Sequence, residues 1–112
     1  MRGPRLFRRL TLAELERWCA SRPHALVLDA RDPGSHQRDG WAGSVRLGPD
    51  NQHALLLQTD RKRPILIYCH HGHASQTWAQ MFADFGYVDV CDLVGGHAAW
   101  AQAHPLPPEE PA

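Results

Sequence analysis

The chain has 112 residues, in which twelve lysines and arginines balance twelve aspartates and glutamates. This length suits one domain that buries about two thirds of its unfolded surface, and the balanced charge gives no overall field that would recruit nucleic acid. The three cysteines are odd in number, which argues against the disulfide framework of a small secreted protein. Because no apolar run approaches the ~20 residues that cross a bilayer, we expect a cytoplasmic domain with no membrane or nucleic-acid partner.

The first predicted elements are a short strand and a helix. The strand lies near residues 6–8, within an N-terminal segment 1–9. Thr11 and Glu14 then have the spacing of a capping box, which predicts that a helix begins there. Cys19 falls on the apolar face of this helix, and so we expect its side chain in the core.

The middle of the chain is predicted to contain two strands separated by a turn and a surface loop. The run 25–29 is apolar and ends in an acid, as in a buried strand. Residues 31–35 have the composition of a turn, and the polar segment from there to Gly43 holds two glycines, so it is predicted to be a surface loop. A short strand at 45–47 and a helix carrying 54–57 follow.

The fourth strand and the helix after it have the clearest pattern. Residues 65–68 are uncharged and β-branched, aliphatic or aromatic, as in a parallel strand covered on both faces. After a small polar loop, apolar residues recur at helical spacing: Trp78, Met81, Phe82 and Phe85. Gly86 is predicted to end this helix. Cys69 is thereby placed at the carboxyl end of a strand, facing a helix N-terminus, where α/β sheets bind ligands.

The remaining elements complete a predicted domain over residues 10–104. A fifth strand over 88–94 and a final helix over 97–103 are joined by a turn of two glycines. The tail 105–112 has four prolines and is predicted to be extended or disordered. Strands that alternate with helices predict right-handed crossovers, a parallel sheet and helices on both faces, which is a three-layer α/β/α fold.

The loop 70–75 suits a sulfur nucleophile. It contains no proline, so six backbone N–H groups are available, and Gly72 permits the positive φ that would curl them into an anion-binding nest. We expect these donors to stabilise a thiolate on Cys69, which is the form that reacts. Cys91, in an apolar strand, is interpreted as a core side chain.

The loop carries three histidines, His70, His71 and His73. They lack the wider, paired spacing of a structural zinc site, so we predict no metal and no cofactor. An exposed rim that attracts an anionic donor is the interpretation that we favour, because imidazole titrates near neutral pH. Ser75 is interpreted as the cap of the following helix.

Four motifs in register resemble the single-domain rhodanese family. They are D-A-R-D at 29–32, D-G-W-A-G-S-V at 39–45, C-H-H-G-H-A-S at 69–75 and L-V-G-G-H-A-A-W at 93–100. The loop is especially similar to that of small bacterial thiosulfate sulfurtransferases. The resemblance implies a five-stranded parallel sheet in the order 1-5-4-2-3, a persulfide carried on Cys69 and substrate binding by loop residues 70–75.

Other residues match the family or depart from it. Asp29 and Arg31 match its D-x-R motif; we interpret Asp29 as structural support and leave Arg31 divided between support and site electrostatics. Trp41 stands where many relatives have histidine, and Ala74 stands where a hydroxyl or a base is frequent. These departures bear on the choice of sulfur donor more than on the cysteine chemistry.

Three functions compete at this point. The first is a sulfurtransferase that moves sulfane sulfur from thiosulfate or another persulfide donor to cyanide, a dithiol or a protein thiol such as thioredoxin. The second is a Cdc25-like phosphatase, which would need an arginine where Ser75 stands and a loop about one residue longer. The third is a non-catalytic binding or sensing domain, which we would expect to have lost Cys69.

Overall fold

The computed structural model describes residues 6–104 and contains five strands and five helices. The elements are β1 (Arg8–Leu10), α1 (Leu12–Ala20), β2 (Leu26–Asp29), α2 (Pro33–Asp39), β3 (Val45–Arg46), α3 (Gln52–Gln58), β4 (Ile65–Tyr68), α4 (Ala74–Asp84), β5 (Val90–Leu93) and α5 (Gly96–Ala103). Within residues 6–104, every helix is too short or too polar to span a bilayer. The predicted disordered tail 105–112 lies outside the described residues.

All five strands pair in parallel, in the order β1-β5-β4-β2-β3. This is the order that the family resemblance implied, and the prediction of a parallel sheet is confirmed. The central strand β4 pairs with β2 on one side, where Ile67 lies opposite Leu28, and with β5 on the other, where Ile67 lies opposite Asp92. The carboxyl ends of the strands therefore meet at one edge of the sheet, next to Cys69.

Each face of the sheet has its own apolar cluster, because successive side chains of a strand point to opposite faces. On β4, Ile65 and Ile67 pack with Phe82 of α4 and Leu56 of α3. Leu66 belongs to the second cluster, with buried partners on β1, α1 and β5: Leu10, Trp18 and Cys91. Helices thus cover both faces, as predicted, and Cys91 is a core residue with 0% exposure.

The segment predicted to be a turn and a surface loop contains the helix α2, so that prediction was wrong. Asp32 occupies the N-cap position, where its side chain accepts hydrogen bonds from the Ser35 N–H at 3.0 Å and the Ser35 hydroxyl at 2.8 Å. Pro33 lies at the start of the helix, where its missing N–H costs nothing. The cap and the proline outweigh the glycine that follows them.

Two further predictions need correction near the N-terminus. The first strand lies at Arg8–Leu10 and not near residues 6–8. Cys19 is exposed rather than in the core. The reason is that α1 covers the edge of the sheet, where β1 is only three residues long. The apolar stripe of α1 is narrow there: Trp18 is its buried residue, and Cys19, about 100° further around the helix, faces solvent.

The helix α4 confirms most of its predicted pattern. Phe82 is fully buried, Trp78 and Met81 pack against the same cluster, and Gly86 has a φ of 94° just beyond the helix end. Phe85 differs, because it is the C-cap residue and is 45% exposed. The apolar stripe therefore ends one turn earlier than the spacing predicted.

Candidate active site

Cys69 follows the last residue of β4 and is buried, with 4% of the residue exposed. The backbone N–H groups of Gly72 and Ser75 donate hydrogen bonds to its Sγ, at N···S distances of 3.2 and 3.3 Å. Gly72 has a φ of 86°, the left-handed conformation that the loop was predicted to need. Two of the six N–H groups thus reach the sulfur, and such donors favour a sulfur atom that carries negative charge.

The first turn of α5 is hydrogen-bonded to the backbone at the start of the loop. The His97 N–H donates to the carbonyl oxygen of Cys69 at 2.8 Å, and the Ala98 N–H donates to that of His70 at 3.0 Å. The approach is so close that a Cβ on Gly96 would lie 2.5 Å from the Cys69 oxygen. The glycine pair at the start of α5, Gly95 and Gly96, therefore permits this contact as well as the turn.

An ion pair between the half-buried Arg9 and the buried Asp92 lies against the other side of the loop. Asp92 of β5 has 0% exposure and accepts hydrogen bonds from Arg9 Nε and Nη2, both at 3.0 Å. The hydroxyl of Ser75 also donates to Asp92, at 2.8 Å, and Arg9 Nη2 donates to the Gly72 carbonyl oxygen at 2.7 Å. Sequence reasoning missed Arg9 and Asp92, although a charged residue in each of two short strands is a signal.

Ser75 does not cap the helix, which corrects its predicted role. It is the second residue of α4 and is fully buried. Its hydroxyl is directed to the Asp92 carboxylate instead, because a buried carboxylate needs donors more than a helix end that can be solvated.

Asp29, at the end of β2, is a buried acceptor. Its carboxylate accepts hydrogen bonds from the Arg31 backbone N–H and guanidinium, from the Tyr68 hydroxyl at 3.0 Å, and lies 3.0 Å from His36 Nδ1. Burial would raise the pKa of this carboxyl, but the hydrogen bonds from Arg31, His36 and Tyr68 together hold the pKa at about 2. Asp29 thereby ties β2, β4 and α2 together, as its predicted supporting role requires.

Arg31 is buried with its partners. Its Nε and Nη2 donate to Asp29, its Nη1 donates to Asp39 at 2.8 Å, and Nη2 also donates to the Ser35 carbonyl oxygen. The pKa of Arg31 is raised, since the hydrogen bonds to both carboxylates outweigh the effect of burial. Because all three nitrogen atoms donate to β2 and α2, this geometry favours support over site electrostatics.

The loop presents its histidines outward. His70, His71, His73 and Ala74 are all exposed, as the predicted rim requires. His70 Nε2 lies 3.1 Å from Asp32 Oδ1 at the cap of α2. The pKa of Asp32 is lowered, mainly by the hydrogen bonds from Ser35 and further by His70. Among residues 6–104, no three His, Cys, Asp or Glu side chains are grouped as a metal site would require.

Trp41, which departs from the family pattern, belongs to an aromatic stack. Its ring lies 4.1 Å from that of Tyr68 with an interplanar angle of 23°, and its backbone N–H donates to the Tyr68 hydroxyl at 3.0 Å. Trp100 of α5 lies 5.4 Å from Trp41, so the three aromatic rings pack together. Trp41 therefore packs against Tyr68, the last residue before Cys69, and restricts its movement.

Comparison with known proteins points to one family. The family model described as "Rhodanese-like domain" matches residues 11–103. The thiosulfate sulfurtransferase GlpE of Coxiella burnetii is 30% identical over 95 residues, which cover 84% of this chain and 89% of that protein.

Solved structures agree on the fold. A human single-domain sulfurtransferase, TSTD1, is 16% identical with a TM-score of 0.73, and the match covers 89% of this chain and 97% of that one. A Rhodopseudomonas palustris protein of unknown function, described as a possible tyrosine phosphatase, is 27% identical with a TM-score of 0.69, over 88% of this chain and 82% of that one.

Proposed function

The chain belongs to the rhodanese-like domain family, and from this premise we propose that it transfers sulfane sulfur through a persulfide on Cys69. The donor is thiosulfate or a persulfide donor, and the acceptor is cyanide, a dithiol or a protein thiol such as thioredoxin. The observation that carries the proposal is the pair of N–H groups, from Gly72 and Ser75, that donate to the Cys69 sulfur. Such donors can stabilise a thiolate and a persulfide anion alike.

The reaction proceeds in two displacements. The Cys69 thiolate attacks the outer sulfur of thiosulfate, the S–S bond of thiosulfate breaks, and sulfite leaves with the electron pair. The enzyme then carries a persulfide anion in the loop. In the second step, cyanide or a thiolate attacks the terminal sulfur, and thiocyanate or a new persulfide leaves while the Cys69 thiolate is restored. We assign the attraction of the thiosulfate dianion to the exposed histidine rim, because imidazole side chains gain positive charge as the pH falls.

Mass spectrometry tests the persulfide directly. After incubation with excess thiosulfate and desalting, we expect the mass of one added sulfur atom on the peptide that contains Cys69, and we expect cyanide to remove it and yield thiocyanate. Cys69→Ser should never gain this mass. Cys19→Ser is the matched control, since Cys19 is an exposed thiol on α1, and it should gain the mass as the parent protein does.

Phosphatase activity is the alternative to sulfur transfer, and the same preparation tests it. A C-x5-R phosphatase clamps the phosphoryl oxygens with a guanidinium, and Ser75 stands at that position here. We therefore expect negligible hydrolysis of aryl phosphates by the same preparation. Cleavage of aryl phosphates through Cys69, with no sulfur added from thiosulfate, polysulfide or a protein persulfide, would overturn the proposal. If neither reaction occurs, a binding or sensing domain becomes the better account.

A further inference from the structure

We infer that Arg9 and Asp92 are positioning residues, which hold the two N–H groups of the loop against the Cys69 sulfur. The inference rests on the proposed function for its consequence in sulfur transfer. The inference also predicts how fast Cys69 reacts as a nucleophile, and this rate can be measured without any sulfur donor.

Gly72 and Ser75, whose N–H groups donate to the Cys69 sulfur, are also hydrogen-bonded to the Arg9–Asp92 ion pair. Gly72 donates its N–H to Cys69, while its carbonyl oxygen accepts from Arg9 Nη2 at 2.7 Å. Ser75 donates its N–H to Cys69, while its hydroxyl donates to Asp92 Oδ2 at 2.8 Å. Each of these two residues therefore uses a second polar group to bind one member of the same ion pair.

The anchor matters most at Gly72. The backbone of a glycine rotates more freely than that of any other residue. Fixing the orientation of Gly72 therefore costs conformational entropy. If the Gly72 carbonyl rotated into the loop, its oxygen would bring partial negative charge towards a thiolate or persulfide. Arg9 opposes this rotation by donating a hydrogen bond to the oxygen, and Gln76 Nε2 is a further donor at 2.9 Å.

The sheet register holds the pair in place. Arg9 lies directly opposite Asp92 across β1 and β5, and Asp92 is fully buried with three hydrogen bonds. An ion pair with one fully buried partner and one partly exposed partner contributes little net stability compared with apolar residues of similar volume. Its use here is geometric, because the Arg9 guanidinium can bind a carboxylate in two places and still donate to a carbonyl oxygen, which a lysine cannot do.

The test uses the full chain with Cys19→Ser as the parent, so that the exposed thiol of α1 does not react. The double variant Arg9→Met/Asp92→Leu removes both charges and leaves no buried charge unpaired. At fixed pH, we expect its rate of alkylation by iodoacetamide at Cys69 to fall about tenfold or more, since hydrogen bonds to a charged group are worth at least that factor. We expect kcat for sulfur transfer to fall with it and KM for thiosulfate to change less, because the histidine rim is intact.

Arg22→Met/Asp89→Leu is the matched control. Arg22 and Asp89 form an ion pair at 2.7 Å that joins the turn after α1 to the chain just before β5, away from the loop. This variant should keep the alkylation rate of the parent. A comparable fall in its rate would show that loss of any ion pair loosens the loop, and the positioning role would be overturned.

Two single variants keep the test decisive if the double variant does not fold. Ser75→Ala removes one anchor, and Arg9→Lys keeps the charge beside Asp92 while losing the third hydrogen bond. Both should be folded, with alkylation rates between those of the parent and the expected tenfold loss. Parent-like rates in all the folded variants would overturn the inference. A reduced rate in variants of a parent that transfers no sulfur would instead leave the inference standing and reject the proposed function.

Discussion

The three cysteines lie in three different environments, and only one of them suits a nucleophile. Cys91 is enclosed by the sheet, and burial raises the pKa of its thiol, which keeps it protonated and inert. Cys19 is exposed on a helix face. Cys69 has backbone donors on its sulfur and stands at the edge of the sheet where ligands bind. Position within the hydrogen-bond network, more than exposure, separates the proposed nucleophile from the other two thiols.

The Asp29 carboxylate gives the protein a stability term that depends on pH. Its pKa in the folded state, about 2, lies below its ordinary value of 3.8. The contribution of Asp29 is therefore complete above about pH 4 and is lost as the pH falls through the folded-state pKa, and a shift of this size corresponds to about 2 kcal/mol. Urea unfolding from pH 2 to pH 7 should show the free-energy gap between the protein and Asp29→Asn shrinking by that amount below pH 4. A gap independent of pH would contradict the assigned hydrogen bonds.

Residue roles could be predicted from sequence where the chemistry is local. Cys69 and Gly72 are three positions apart, so the loop that joins them is visible in the sequence itself. Arg9 and Asp92 are 83 positions apart, and their contact depends on the register between β1 and β5. Ser75 was misassigned for the same reason, because its hydroxyl partner comes from a distant strand.

At the scale of elements, the start of α5 and the loop after β4 act as one unit. Gly96→Ala tests this contact, because the new Cβ would meet the Cys69 carbonyl oxygen at 2.5 Å on a residue with a φ of 63°. We expect the free energy of unfolding to fall by about 3 kcal/mol or more, since overpacking adds to backbone strain, and we expect sulfur transfer to be lost or strongly reduced in the folded fraction.

Gly86→Ala measures the cost of backbone strain without a steric clash. Gly86 also has a positive φ, 94°, but its added Cβ would meet none of the described atoms within 4 Å. Its cost in urea unfolding should stay at about 1–2 kcal/mol, with sulfur transfer unchanged. Equal costs for the two variants would mean that the close approach of α5 to the loop does not constrain the protein.

Elements with one dominant signal were predicted well, and elements with mixed signals were not. The strand β4 is a continuous apolar run, and α4 has helical spacing of large apolar residues, so both were found. The helix α2 is short and polar, and D-P-G-S at 32–35 has the residues of both a turn and a helix cap. Which of the two forms depends on the buried contacts of Ser35 and Arg31, and these exist only in the folded protein.

At the scale of the whole molecule, the candidate site is assembled from both halves of the chain. Arg9 comes from β1 at one end of the sequence, Cys69 follows β4, and Asp92 and Gly96 come from β5 and α5. The alternation of strands and helices predicts a parallel sheet, but it leaves the strand order open, because each crossover can add a strand on either side. The order came from the family resemblance, and it is this order that places β1 beside β5.

The strand order also predicts where the protein is most stable. The central strand β4 is paired on both sides, and each of its four residues has 0% exposure. The edge strands β1 and β3 have three and two residues, with Val45 of β3 38% exposed. Backbone amides of β4 should therefore exchange with solvent only when the whole domain unfolds, whereas those of β1 and β3 can exchange through local opening.

Hydrogen exchange followed by mass spectrometry can measure this difference. At neutral pH and without denaturant, we expect peptides from 65–68 to exchange at least about tenfold more slowly than peptides that contain β1 or β3. Arg9→Met/Asp92→Leu should speed exchange at β1 and in the loop after Cys69 while β4 keeps its protection, because the backbone pairing of β4 with β2 and β5 does not depend on these side chains. If β1 were as protected as β4, the site and the core would open together, and the loop could not be loosened without unfolding the domain.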